Sequence, residues 1–253
     1  MQFYLFLIAC LLPGLLCGTS WVIIADGDPL QDTELQDCVQ NRKVLVLDGA
    51  INRFKSLPFY PDCMLGDFDS IEDPSYWGVM SVYADIMEDS PHYIGNFGIM
   101  IVPAKDQNYT DLEKGIVYCD KQGSSSIFIV QATGGRMDHT LGNLGLLRKY
   151  YHEDRHLVIE TKNEQIFYLR DNDVYIEGGI GKYCAVMGYP KASMTTSGLA
   201  YNGNEYPLEL GIQESICNTI ADSQSVISIR GEALIILPKS CVFELRSQVK
   251  AGP

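Results

Sequence analysis

From residue 21 to about residue 151 the chain alternates short apolar runs with longer polar or amphipathic stretches. The runs at 21–25, 44–47, 99–102 and 127–131 are rich in Val, Ile and Leu, the composition of strands buried on both faces. The stretches 32–40, 110–122 and 138–151 read as helices. In the last of these, Leu141, Leu144 and Leu147 recur at every third position and form one apolar stripe. Thr110-Asp111-Leu112-Glu113 has capping-box spacing, so a helix starts there. Strands that alternate with helices predict an α/β domain with a mainly parallel sheet over 21–160. In such sheets ligands gather beyond the carboxyl ends of the strands.

Beyond residue 160 the texture changes. Short apolar runs at 165–169, 174–176, 183–186, 198–201, 226–229 and 233–237 are separated by turn-forming segments such as Asp171-Asn172-Asp173, Gly178-Gly179 and Asn202-Gly203-Asn204. No helical period appears, so 161–250 predicts a small all-β domain, a sandwich or jelly roll. Residues 1–20 form a third region, an apolar leader-like extension. It lacks the positive charge that a signal peptide carries ahead of its apolar stretch. Pro13-Gly14 also interrupts the continuity that a membrane-spanning helix needs. A leader, a poor membrane anchor and an extension outside the working protein all stay open.

Composition narrows the classes. With 46% hydrophobic and 20% charged residues the chain has the material for a buried core and is not globally disordered. A net charge of -13 argues against nucleic acid as a partner, because that role needs basic stripes to neutralise phosphate. None of the eight cysteines forms a Cys-x-x-Cys pair, so no zinc site is expected. Several lie among apolar residues and read as free buried thiols of a reducing compartment. The expectation is a cytoplasmic protein without stable membrane association.

The polar segments after the apolar runs carry the chemistry. Gly66-Asp67-Phe68-Asp69-Ser70 sets two carboxylates two residues apart in a glycine-flanked turn. Mg²⁺ takes such oxygen ligands together with substrate phosphates. Asp48 directly follows the run 44–47 and is a further metal or water-shell carboxylate, with Asn52 and Arg53 one turn later. In Asp106-Gln107-Asn108-Tyr109-Thr110-Asp111, Thr110 and Asp111 suit plain helix capping, and a helix N-terminus also welcomes phosphate. In Gly134-Gly135-Arg136-Met137-Asp138-His139 the glycines let the backbone approach phosphate and Arg136 supplies a planar donor fork. His139 has no partner His at ligand spacing and reads as structural or substrate-orienting. There is no Gly-x-x-x-x-Gly-Lys-Ser/Thr segment, which excludes a P-loop kinase. The four clusters read together as strand-end loops converging on a metal-bound polyphosphate.

In this order the clusters resemble those of the thiamine pyrophosphokinase family. The β region adds Thr195-Thr196-Ser197-Gly198-Leu199-Ala200-Tyr201 and Ser215-Ile216-Cys217-Asn218-Thr219, which resemble that family's Thr-rich segment and its Ser-x-Ser-Asn-Thr segment. The likeness runs from about Val22 to Leu237. Ala50 stands where the family has a second Gly, Tyr201 where Trp is frequent and Cys217 where it has Ser, and residues 1–20 have no counterpart.

The resemblance implies an enzyme that transfers pyrophosphate from ATP to the thiamine hydroxyl, giving thiamine diphosphate and AMP. It implies a homodimer with thiamine at the interface. Asp48, Asp67, Asp69 and Asp111 become Mg²⁺ ligands, and Asp67, Asp69, Asp111, Arg136 and Asp138 the catalytic set. Asp48, Asn52, Arg53, Gln107, Thr110, Gly134, Gly135 and Arg136 become nucleotide contacts, and Tyr201, Ser215 and Asn218 thiamine contacts.

Two other readings stand beside this one. Asp67-Phe68-Asp69-Ser70 also looks like the Asp-x-Asp of aspartate-nucleophile phosphohydrolases. Those enzymes want a strong preceding strand, and 63–65 reads as a short strand at best. A secreted or membrane-tethered nucleotide or vitamin binder without catalysis rests on the leader and on the changed pocket residues. Against export, Asn108-Tyr109-Thr110 is a glycosylation triplet, and a glycan there would block the expected site.

Overall fold

The computed structural model describes residues 19–79 and 93–247. Strands β1 (Thr19–Ile24), β2 (Lys43–Leu47) and β3 (Cys63–Gly66) pair in parallel. β4 (Tyr93–Ile94) is a short antiparallel edge strand on β5 (Met100–Pro103), and β5 pairs in parallel with β3. β6 (Ser124–Val130) pairs in parallel with the other side of β1, and β7 (His156–Glu160) with β6. The spatial order is therefore β4-β5-β3-β2-β1-β6-β7. The chain works outward from β1 in one direction and then returns to fill the other. At such a reversal the connections on either side of the sheet part, and a crevice opens at the carboxyl ends of the strands.

Helices cover both faces, which is why the strands are apolar throughout rather than alternating. Ile23, Leu45, Leu65, Ile127 and Ile129 pack under Ile116 of α3 (Asp111–Lys121) and Leu147 of α4 (Met137–Lys149). Val22, Ile24, Val46 and Met64 face Leu35 of α1 (Asp32–Val39), and Ile51 and Phe54 of a 3-10 helix, Asp48–Ser56. The short α2 (Pro74–Trp77) adds the buried Trp77 to this second face. All three helices expected from the sequence form. α3 is capped by Thr110, whose hydroxyl accepts the Glu113 N–H at 3.3 Å.

The antiparallel β region follows without a break in hydrogen bonding, because β8 (Glu164–Arg170) pairs with β7. It continues through β9 (Asn172–Glu177), β10 (Tyr183–Ser197), β11 (Tyr206–Glu209), β12 (Ser215–Thr219), β13 (Gln224–Pro238) and β14 (Val242–Ser247). β13 is shared between neighbours. Its first part pairs with β9, its last part with β8, and β10 runs along its other edge. Phe167, Leu169, Val174, Ile176, Val186, Ile227 and Ile235 form the core between these strands.

Four details differ from the sequence reading. The runs 226–229 and 233–237 are one 15-residue strand, bent at Gly231, whose φ of 95° suits glycine. A Cβ at 231 would stand 2.6 Å from the Lys191 carbonyl oxygen. The run 183–186 opens another 15-residue strand, whereas 198–201 is a turn in which only Leu199 bridges, to Ile220. Cys63–Gly66, read as a short strand at best, is a four-residue strand buried throughout between β2 and β5. β4, β7, β11, β12 and β14 went unread as strands, and β7 has only Leu157, Val158 and Ile159 as its apolar stretch. The leader-like 1–20 lies outside the described residues up to residue 18, and Thr19 and Ser20 begin β1. Among the described residues no helix is long and apolar enough to cross a membrane.

Candidate active site

The loops after β1, β2 and β6 and the starts of α3 and α4 enclose a cleft of about 340 Å³ at the reversal of strand order. Carboxylates line one side. β2 delivers Asp48, whose φ is 36° and which is only 9% exposed. Its Oδ1 is buried without a hydrogen-bond partner. β3 delivers Gly66, and a Cβ there would stand 2.9 Å from the Asp48 Cβ. Phe68, with φ 67° and 3% exposure, turns into the core, and the acids on either side of it face outward. Ligand oxygens of Asp48, Asp67 and Asp69 then lie within 4.8 Å of one another.

Polar side chains hold this arrangement. Asn52 donates to the Ser70 carbonyl and accepts the Glu72 N–H, both at 3.0 Å, so its amide fixes the turn that carries the acids. Gln107 Nε2 donates to Asp67 Oδ2 at 2.7 Å, and the Ser70 hydroxyl to Asp69 Oδ1 at 2.9 Å. Burial pushes the Asp48 carboxyl above the usual range; the Ser70 hydroxyl opposes this, and the charges of Asp111, Asp67 and Asp69 add to it. Asp111 lines the cleft but stands outside the triad, with its carboxylate drawn to Lys114 Nζ at 3.0 Å.

The glycine loop forms the opposite side. Gln131, Gly134 and Gly135 all have positive φ (57°, 83° and 59°). Thr140 Oγ1 donates to the Gly134 carbonyl at 3.3 Å and Asn143 Nδ2 to the Ala132 carbonyl at 2.8 Å, which pins the loop to α4. Among the described residues no acceptor pairs with the N–H groups of Gly134, Gly135 and Arg136. Arg136 lines the cleft, yet its guanidinium forks onto Asp138 through Nε–Oδ1 at 3.1 Å and Nη2–Oδ2 at 2.5 Å. The Arg136 bond, helped by the His139 N–H, takes the Asp138 carboxyl down to about 2. Arg53 stands behind the cleft as a strut, donating to the Leu30 carbonyl, to Asp32 and to Gln131 Oε1.

One loop escaped the sequence reading. Asp26-Gly27-Asp28 follows β1, and Asp26 lines the cleft, whose walls raise its carboxyl pKa by burial. The signal was there, because an apolar run ending in Asp-Gly is the same pattern as Asp48-Gly49 after β2.

In the β region Tyr201 is 76% exposed and Asn218 only 4%. Asn218 accepts the Tyr201 N–H at 3.1 Å and donates to the Tyr201 carbonyl at 2.8 Å and to Ser215 Oγ at 3.5 Å. Its amide therefore shapes the Tyr201 turn. Cys217 is exposed, with φ 59°.

Two family models match the chain. The catalytic domain of thiamin pyrophosphokinase matches residues 35–159, and the vitamin B1 binding domain of thiamin pyrophosphokinase matches residues 171–236. The chain belongs to the thiamine pyrophosphokinase family. Asp48, Asp67, Asp69, Asp111 and Arg136 fall in the catalytic match, and Tyr201, Ser215 and Asn218 in the vitamin B1 match.

The relatives agree. Thiamine pyrophosphokinase 3 of Oryza sativa is 26% identical over 191 residues, which cover 70% of this chain and 65% of that protein. Thiamine pyrophosphokinase 1 of Arabidopsis thaliana is 28% identical over 218 residues, covering 75% of each. The chain thus spans a little under two thirds of the rice protein's length. In fold it is similar to thiamine pyrophosphokinase of Bacillus subtilis, with a TM-score of 0.69 at 20% identity, covering 88% of this chain and 100% of that one. The enzyme of Candida albicans gives 0.68 at 17% identity, covering 87% and 89%.

Proposed function

We propose that the chain is a thiamine diphosphokinase, which transfers pyrophosphate from ATP to the thiamine hydroxyl and releases AMP. The observation that carries this reading is the cleft itself. Asp48 lines one side of it, with Asp67 and Asp69 beside Asp48 so that oxygens of the three lie within 4.8 Å, and a glycine loop whose N–H groups have no acceptor among the described residues lines the other. Asp48, Asp67 and Asp69 would hold Mg²⁺. The donor set is all oxygen, as a hard cation requires, and the buried, unpartnered Asp48 Oδ1 fits a ligand role. When bound, the cation supplies charge neutralisation for the phosphates.

The other side chains position and orient. Phosphoryl transfer needs placement and charge stabilisation more than covalent help. The N–H groups of Gly134, Gly135 and Arg136, with the Arg136 guanidinium, would hold phosphate oxygens, and Asp138 sets the angle of that guanidinium. Thr110 and Asp111 bring the N-terminus of α3 to the cleft, and Gln107 steadies Asp67. Asn52 and Arg53 serve the nucleotide by fixing the loops that meet it. Tyr201 offers an aromatic face for the thiamine ring, Ser215 a hydroxyl, and Asn218 the turn that presents them.

Thiamine bound between two copies of the chain fits the exposed apolar side chains Tyr183, Tyr201, Ile212 and Ile216 of the β region. Six free cysteines among the described residues support a reducing, cytoplasmic setting. Purified protein supplied with ATP, Mg²⁺ and thiamine should form AMP only when thiamine is present. Thiamine-independent release of ADP would instead favour a hydrolase.

A further inference from the structure

The loop after β1 lies ahead of the segment matched by the catalytic-domain model. It is fastened to the loop after β6. Gly27 N–H donates to the Gln131 carbonyl at 2.7 Å and Asp28 N–H to the Thr133 carbonyl at 3.0 Å. Gly27 permits this contact, because a Cβ there would stand 2.3 Å from the Gln131 oxygen. The backbone of Asp28 is thereby held, and its carboxylate lies against Gly134. A Cβ on Gly134 would fall 2.0 Å from Asp28 Cγ and Oδ2 and 2.4 Å from Oδ1.

That position is at odds with simple anion capture. The Gly134–Gly135 turn carries N–H groups that have no acceptor among the described residues and suit phosphate, yet a carboxylate stands directly on it. Among the described residues no cation pairs with Asp28, and the loop's own cation, Arg136, is forked onto Asp138. A fixed negative charge at this point opposes a bare polyphosphate more than one whose charge a divalent cation has partly cancelled.

We propose that Asp28 is a specificity-determining residue that disfavours metal-free nucleotide at the Gly134–Gly135 turn and so selects the metal-complexed form. The inference rests on the reading of the cleft as a nucleotide site. The Asp28 carboxylate is exposed, so its field is short-ranged and screened by salt.

The test is calorimetric titration of wild type and Asp28→Asn with a non-hydrolysable ATP analogue, once in chelator and once in excess Mg²⁺. Asn keeps the shape that packs on Gly134 and removes the charge. The variant should bind the metal-free analogue roughly tenfold more tightly, an effect on the order of one unit charge at close range. Its affinity for the Mg²⁺-complexed analogue should change by less than about twofold, and the gain should shrink in high salt. Thermal unfolding checks that the variant is folded, and Asp28→Ser provides the same comparison should Asn perturb the loop. If the wild type binds the Mg²⁺-complexed analogue but the variants gain nothing in chelator, or gain equally in both conditions, the assignment of Asp28 is overturned and the nucleotide site stands. If the wild type binds neither form, the nucleotide reading falls and the assignment falls with it.

Discussion

Gly66 and Asp48 approach so closely that a Cβ on residue 66 would stand 2.9 Å from the Asp48 Cβ. The contact joins the ends of β2 and β3 and fixes Asp48 beside Asp67 and Asp69. Gly66→Ala must push one strand end away from the other. It should cost about 1–3 kcal/mol of stability, the usual range for overpacking a tight site. It should also weaken Mg²⁺ binding measured by calorimetry. An Ala variant with wild-type melting and wild-type cation affinity would show that the contact is slack.

The acidic turn is the next test. Asp69 is exposed and Asp67 half-buried, so Asp67→Asn and Asp69→Asn should leave the melting temperature nearly unchanged. Each removes a ligand charge from the proposed metal site, so turnover should fall by a factor of about a hundred or more, consistent with the several kcal/mol assigned to metal charge stabilisation. Steady-state rates close to wild type in both variants would reduce the segment to a surface turn.

Glu113 gives a prediction in pH. It is buried at the start of α3, where burial alone would raise its pKa; bonds from Lys149 and the Tyr150 hydroxyl, the latter at 2.6 Å, outweigh that and hold it below its ordinary 4.5. A carboxylate with a depressed pKa in the folded state contributes stability that is full above its unfolded value. That contribution is lost as pH falls through the folded value. Glu113→Gln should therefore be less stable than wild type at neutral pH by about 1–3 kcal/mol. In urea unfolding the gap should close as pH drops below 4.5. A gap independent of pH would mean that the charge of Glu113 plays no part.

Much of the catalytic half was legible because its strands are buried on both faces and each ends in a distinctive polar cluster. Val44, Leu45, Val46 and Leu47 announce β2, and Asp48 follows at once. What a one-dimensional reading missed depends on partners distant in sequence. Glu113 has the spacing to close a capping box, yet its carboxylate bonds Lys149 at the end of the next helix and Tyr150 just past it. Asn52 and Asn218 read as ligand contacts, but each spends its amide on the backbone of a loop, around Ser70 and Tyr201 respectively. Asp111 has the right chemistry for a metal ligand, and its contact is local instead, with Lys114 three residues on at 3.0 Å. In the β half, length was the obstacle. A strand that turns at Gly231, as β13 does, looks like two short runs to any reading of apolar periodicity.

Tyr201 and Asn218 separate contact from support. Tyr201→Ala removes an exposed ring and should raise the Michaelis constant for thiamine while leaving that for ATP nearly unchanged. Asn218→Ala removes a buried amide and both of its bonds to the part-buried Tyr201 backbone, and should cost about 1–3 kcal/mol of stability as well. Equal effects of Tyr201→Ala on both substrates would speak against a thiamine role for the ring.

The central claim is the bond that breaks in ATP, and isotopic labelling reads it directly. The protein is incubated with Mg²⁺, thiamine and ATP labelled at the β-phosphate, and the products are separated. Pyrophosphoryl transfer predicts label in thiamine diphosphate, with unlabelled AMP formed in equal amount. Label retained in ADP, with thiamine monophosphate as the only thiamine ester, would contradict the account.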